Sequence, residues 1–136
     1  MNFISFPYEA KSSPIFGVVK RPVAYIRVFS RKRKKWFEYT MIVDTGADYT
    51  VFPFSVAGDL NIDIEKECEQ YSTRGIGGSE RVFIYKKKIL IKIGDWEIKA
   101  PIGFLERDDI PPLLGRQECL DVFKVLFSRF TTLFEK

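Results

Sequence analysis

Histidine is absent from the 136-residue sequence. Every catalytic arrangement that uses an imidazole as base, including Ser/His/Asp, Cys/His and HExxH zinc sites, is thereby excluded. Cysteine occurs only twice, as Cys68 and Cys119, far apart and without a CxxC spacing. Neither a zinc site nor a disulfide framework is indicated, and ordinary thiols in a reducing compartment are expected. No stretch approaches the roughly 18 apolar residues of a membrane span, and Met1 to Lys11 lacks both a basic n-region and an apolar run suited to a signal peptide. A soluble, cytoplasmic, independently translated protein without membrane partners is expected.

What is present favours strands. Thirteen Phe and six Tyr accompany many Ile and Val, while nine Gly and seven Pro supply turns between short extended segments. The length suits a single domain over 1–136 with a modest core. Lys and Arg number 22 against 18 Asp and Glu, a net charge of +4 that tolerates nucleic acid without demanding it. After an irregular opening, Ile15 to Val19 and Val23 to Phe29 predict an N-terminal strand pair interrupted at Pro22. The five bases Arg31 to Lys35 predict a solvated hairpin turn.

In the following strand Phe37, Tyr39, Met41 and Val43 share one face and Trp36, Glu38, Thr40 and Ile42 the other. This strand ends by delivering Asp44. Pro53 to Leu60 suits one short helical turn, followed by a polar connection from Asn61 to Glu69. Tyr71 to Tyr85 places the cluster Gly75-Ile76-Gly77-Gly78 between extended flanks, as a hairpin tip. Lys86 to Lys88 predicts an exposed bend, Ile89, Ile91 and Ile93 a strand up to the turn Gly94-Asp95, and Trp96 the start of the next. Arg116 to Phe123 suits a short helix. No internal repeat is found, and Asp-Thr-Gly occurs once.

Three separated features line up: Ile42-Val43-Asp44-Thr45-Gly46-Ala47-Asp48, the glycine tip at 75–78, and Leu113-Leu114-Gly115-Arg116. Together, over roughly residues 15–127, they resemble the retropepsin-like aspartic proteases. The resemblance implies an all-β acid-protease barrel with one short C-terminal helix and a glycine-rich flap. It implies a homodimer in which Asp44 of each chain meets its symmetry mate and one proton is shared between the two. No metal or cofactor is implied. Thr45, Gly46 and Ala47 would support the loop, Gly46 because two loops must approach closely. Gly75, Ile76, Gly77 and Gly78 would cover an extended polypeptide substrate, and Leu113, Leu114 and Gly115 would form the strand threaded behind Asp44. Asp48 and Arg116 match positions that form an internal ion pair.

Two departures accompany the resemblance. Ala47 lacks the hydroxyl that pepsin-like members use to stabilise the ionised carboxylate, so a pH optimum nearer mildly acidic to neutral is expected than a strongly acidic one. Asp44 also lies later than in compact viral enzymes, the basic hairpin at 31–35 looks inserted, and the tail Val125-Leu126-Phe127, then Phe130 to Phe134, is either a dimer-forming segment or a core strand with an amphipathic tail. Two rival functions compete with the peptidase. One is a retropepsin-like dimerisation or peptide-binding module that cuts nothing. The other, not expected, is a basic β domain that binds nucleic acid through Arg31 to Lys35 and Lys86 to Lys88, with Trp36, Phe83 or Tyr85 stacking on bases.

Overall fold

A computed structural model describes residues 2–75 and 78–136, with side chains outside 73–78. The chain is built almost wholly of strands. In order they are β1 (Phe3–Pro7), β2 (Glu9–Ser13), β3 (Gly17–Arg21), β4 (Val23–Ser30), β5 (Lys35–Val43) and β6 (Thr50–Pro53). The helices α1 (Ser55–Asp59) and α2 (Ile64–Glu67) precede β7 (Cys68–Gly75), β8 (Gly78–Tyr85), β9 (Ile89–Ile93), β10 (Trp96–Ala100) and β11 (Ile102–Leu105). The two-residue β12 (Leu113–Leu114), a 3-10 turn at Leu120–Val122, β13 (Lys124–Ser128) and β14 (Thr131–Glu135) complete the chain.

Nine strands form one sheet in the order β10-β9-β4-β5-β12-β6-β11-β8-β7. Its end strands β10 and β7 are each engaged in a hairpin with their sequence neighbour, and among the described residues no closed barrel is found, while the expected all-β, retropepsin-like character holds. The alternation read for β5 holds, since Met41 and Val43 are buried and Glu38 and Thr40 exposed. In β4 the inward set is Ala24, Ile26, Val28 and Ser30, and in β9 it is Ile89, Ile91 and Ile93. These meet Phe52, Phe104 and Leu114, all fully buried, in one core. Gly94 turns β9 into β10 with φ +59°, the left-handed value a hairpin turn demands there.

The ends of the chain differ from the sequence-based expectation. The opening is not irregular: β1 pairs with β14, and β14 with β13, in a separate three-stranded sheet. The tail is therefore a hairpin, turned by Arg129 and Phe130 at φ 48° and 60°. Phe6 and Phe134 pack edge to face at 5.9 Å beneath it. Nor do β3 and β4 pair with each other. Instead β3 folds back on β2 as a two-stranded hairpin, and β4 pairs with β5 and β9, because Pro22 between β3 and β4 cannot donate to a ladder.

The polar connection holds the extra helix α2, whose N-cap Asp63 accepts from Lys66 N at 3.2 Å. The expected helix over 116–123 shrinks to the 3-10 turn at Leu120–Val122, since backbone bonds around Arg116 run back to the Asp44 loop. The turn between β4 and β5 is where the bases predict it, yet several of them are engaged. Arg33 donates to the carbonyls of Asp59 and Gly58, capping α1, and Lys32 bonds Glu67 at 2.8 Å. Among the described residues no helix is long and apolar enough to cross a membrane.

Both cysteines are buried and free. Burial pushes the Cys68 thiol up to about 11 and the Cys119 thiol up to about 12. With almost no thiolate at neutral pH, neither should react with a thiol reagent such as dithionitrobenzoate in the native protein at pH 7.5, and both should react once urea unfolds it. Rapid native labelling would contradict this packing.

Candidate active site

The Asp44 loop owes its position to a wedge. β12 lies parallel to β5, with Leu113 opposite Ile42 and Leu114 opposite Val43, and antiparallel to β6, with Leu113 opposite Val51. A two-residue strand thus fills the gap that opens where β5 and β6 diverge around the loop. Ile42 N donates to Pro112 O and Asp44 N to Leu114 O, each at 3.0 Å. On the opposite side Val43 N donates to Pro22 O at 2.9 Å, so the backbone leading into Asp44 is held from both sides.

Within the loop Asp44 Oδ1 accepts from Gly46 N at 2.9 Å, and Ala47 N donates to Asp44 O at 3.1 Å. These bonds fix both the turn and the plane of the carboxylate. Among the described residues Oδ2 receives no protein donor. Asp44 is half-buried, whereas Thr45 and Gly46 are exposed, so the carboxylate sits at the rim of the molecule. A Cβ on Gly46 would stand 3.3 Å from Asp44 Oδ1, crowding the one oxygen already engaged.

Behind the loop, Arg116 N donates to Ala47 O at 3.0 Å and Gln117 N to Asp48 O at 2.8 Å. Gly115 N donates to the buried Thr50 Oγ1 at 3.1 Å. Thr50 is a support that sequence reasoning missed; it lies at a strand start where a hydroxyl carries no pattern signal. Tyr49, beside it, has its phenol pushed up by burial first and by the nearby Asp48 charge second.

The structure does not form the expected side-chain pair between Asp48 and Arg116. Backbone bonds already join those two segments, and Arg116 Nε turns to Asp121 Oδ1, five residues on, at 3.2 Å. Both side chains of that pair are more than half exposed. Arg116→Ala should therefore cost only about 0 to 1 kcal/mol, seen as a small shift in thermal melting.

The glycine-rich hairpin is present as β7 and β8, with Gly75 opposite Gly78. Ile76 and Gly77 lie outside the described residues. Toward its tip Arg107 ties the hairpin to the segment before β12 through ion pairs to Glu80, at 2.6 Å, and Asp109. Asp108 Oδ1 accepts from Ser55 N at 2.7 Å and caps α1 from a distance. The aromatic residues considered for base stacking are otherwise engaged: Tyr85 is buried, Phe83 packs edge-on against Phe54 at 5.8 Å, and Trp36 packs at a tilt against Phe29 at 5.1 Å.

Comparison with known proteins agrees with this geometry. A family model described as aspartyl protease matches residues 36–117, the span from β5 through the Asp44 loop and the glycine hairpin to the β12 wedge. The crystal structure of a retropepsin-like aspartic protease from Rickettsia conorii is similar to the whole fold, with a TM-score of 0.66 over 98% of each chain. At 19% identity that likeness concerns the fold alone. No curated protein matches in sequence. Since the matched span covers more than half the chain and includes the Asp44 loop and the β12 wedge, this protein belongs to the aspartyl protease family and has a retropepsin-like, all-β fold.

Proposed function

We propose that the protein is an aspartic endopeptidase that works as a homodimer, with Asp44 of each chain supplying half of the catalytic centre. The observation that carries this reading is the half-site itself. Each chain has a single Asp-Thr-Gly, and its carboxylate is locked on one oxygen by Gly46 N–H and presented at the molecular rim beside exposed Thr45 and Gly46. One carboxylate cannot act as acid and base together. Two that share a proton can.

In the dimer the ionised carboxylate takes a proton from a water whose oxygen attacks the scissile carbonyl carbon, while the protonated one donates to the carbonyl oxygen. The resulting gem-diol collapses as its C–N bond breaks and the amide nitrogen takes up a proton. No acyl-enzyme forms. Gly46 N–H fixes the carboxylate plane, and the wedge Leu113-Leu114-Gly115 fixes the loop. The hairpin around Gly75, Ile76, Gly77 and Gly78 covers an extended polypeptide and excludes water. The buried free thiols fit a reducing, cytoplasmic setting.

The test combines cleavage of an unstructured polypeptide, between acid and neutral pH, with sedimentation of the same samples. Activity per chain is expected to rise with protein concentration in step with the dimer fraction. Cleavage by a species that sediments as a monomer would refute the shared site. A folded dimer that cleaves nothing across that range would point to a non-catalytic binding module.

A further inference from the structure

We propose that the β2–β3 hairpin is an arm that clasps the second copy of the chain, with Ile15 and Phe16 at its tip seated on the apolar edge that copy presents at Val122 and β13, where Leu126 and Phe127 flank the strand on either face. This inference rests on the homodimer proposed above.

The hairpin is a sheet of its own, paired from Glu9 opposite Arg21 at the root to Ser13 opposite Gly17 at the tip. Nearly all of its residues are exposed or half-exposed. A two-stranded hairpin alone is marginally stable in water, and charged or small residues would be expected at such a tip. Instead Ile15 is 80% exposed, Phe16 75% and Val18 59%. The tip is also organised rather than ragged. Ser13 Oγ accepts from the backbone N–H of Ile15 at 3.2 Å and of Phe16 at 3.1 Å, and Gly17 supplies the left-handed φ of +75° that closes the turn. An apolar pair held in a fixed geometry and left mostly exposed is built to meet another surface.

The occupant follows from where the arm is rooted. Pro22, immediately after β3, accepts from Val43 N, the residue before Asp44. The root is also pinned to the β13–β14 turn, through Tyr8 N to Phe130 O at 2.9 Å and Lys20 Nζ at 4.3 Å over the Phe130 ring. The second exposed apolar set has the same origin. The 3-10 turn bearing Val122 follows the Arg116–Gln117 segment bonded to Ala47 and Asp48, and it leads into β13, whose outer edge pairs with no strand among the described residues and whose Leu126 and Phe127 are exposed. Arm and edge thus both spring from the loop that must approach the two-fold axis. In a two-fold dimer a contact from the first chain's arm to the second's apolar edge is matched by the contact the two-fold rotation generates, so each contact counts twice.

Sedimentation equilibrium of the full chain tests this, with Ile15→Ser/Phe16→Ser, Leu126→Ser and the combined variant beside wild type. The tip variant should raise the dimer dissociation constant by about tenfold or more, with unchanged circular dichroism and monomer melting, because the tip side chains are almost fully exposed in the monomer. Leu126→Ser should act in the same direction, and the combination should add little, since both remove the same contact. A wild-type dimer whose dissociation constant stays within about twofold in the tip variant would overturn the arm while leaving the shared site intact. A tip variant that dimerises normally but raises KM for a polypeptide would assign the tip to substrate and likewise overturn it. A wild type that cleaves as a monomer would remove arm and shared site together.

Discussion

Replacing Asp44 by Asn is expected to abolish peptide cleavage while leaving the fold and the dimer in place. The carboxamide keeps the size of the side chain and an oxygen to accept from Gly46 N, so the loop bonds survive. It can neither ionise nor pass a proton. Loss of a positioned acid or base typically costs about 10²- to 10⁴-fold in rate, and here the same change removes both halves of the centre. Association should be no weaker, because two carboxylates facing across an axis repel one another. A sharper form of the experiment mixes the two proteins. Chains that exchange at random in an equal mixture leave about half as many wild-type dimers as before, and a dimer with one carboxamide should be inert. Activity per wild-type chain should therefore fall by about half. Undiminished activity in that mixture, with exchange confirmed, would show that one Asp44 suffices.

Gly115→Ala is the second change with a large expected effect, and its cause is steric. A Cβ at this position would stand 2.2 Å from both the carbonyl carbon and the carbonyl oxygen of Tyr49, and 2.8 Å from Thr50 N. These are backbone atoms at the start of β6, and Gly115 N is itself bonded to Thr50 Oγ1. Neither side can yield by rotating a side chain. The β12 segment must move out, weakening the bonds from Asp44 N to Leu114 O and from Arg116 N to Ala47 O. Overpacking costs about 1 to 3 kcal/mol and occasionally more, and a clash with backbone belongs at the upper end. Set against a total stability of about 5 to 15 kcal/mol, this should lower the melting temperature by roughly 10 °C and activity with it. Gly58→Ala serves as the control. Nothing lies within 4 Å of its would-be Cβ in α1, so it should be neutral or slightly stabilising. Equal melting temperatures for the two variants would contradict the wedge geometry.

Both residues were legible in the sequence, for different reasons. Asp44 stands in a motif whose chemistry is carried by residue type. Gly115 stood out only by its place in Leu-Leu-Gly-Arg; the backbone it touches comes from a distant part of the chain. The inward faces of β5 and β9 could be read because alternation of apolar and polar residues reports directly on which side of a sheet is buried. The same rule failed at β2, where exposure of both faces erases the alternation, and at the β13–β14 turn, where Arg129 and Phe130 adopt positive φ without a glycine to signal it. The Asp48–Arg116 pair was inferred from position alone. The chain instead uses main-chain bonds at that joint, which no side-chain pattern can announce.

The β12 wedge also bears on the order in which this molecule assembles. Hairpins such as β4–β5, β7–β8 and β9–β10 join neighbours in sequence and can form while the chain is still short. Leu113 and Leu114 join Ile42 and Val43 across half the length of the polypeptide, and the loop-closure entropy of that contact must be met before any of its bonds form. The carboxylate therefore acquires its fixed orientation late, after most of the sheet exists. A ribosome-bound chain that ends before residue 113 has the bonds from Val43 N to Pro22 O and from Gly46 N to Asp44 Oδ1 but lacks those from Ile42 N to Pro112 O and from Asp44 N to Leu114 O, so its loop is braced from one side only until the wedge docks.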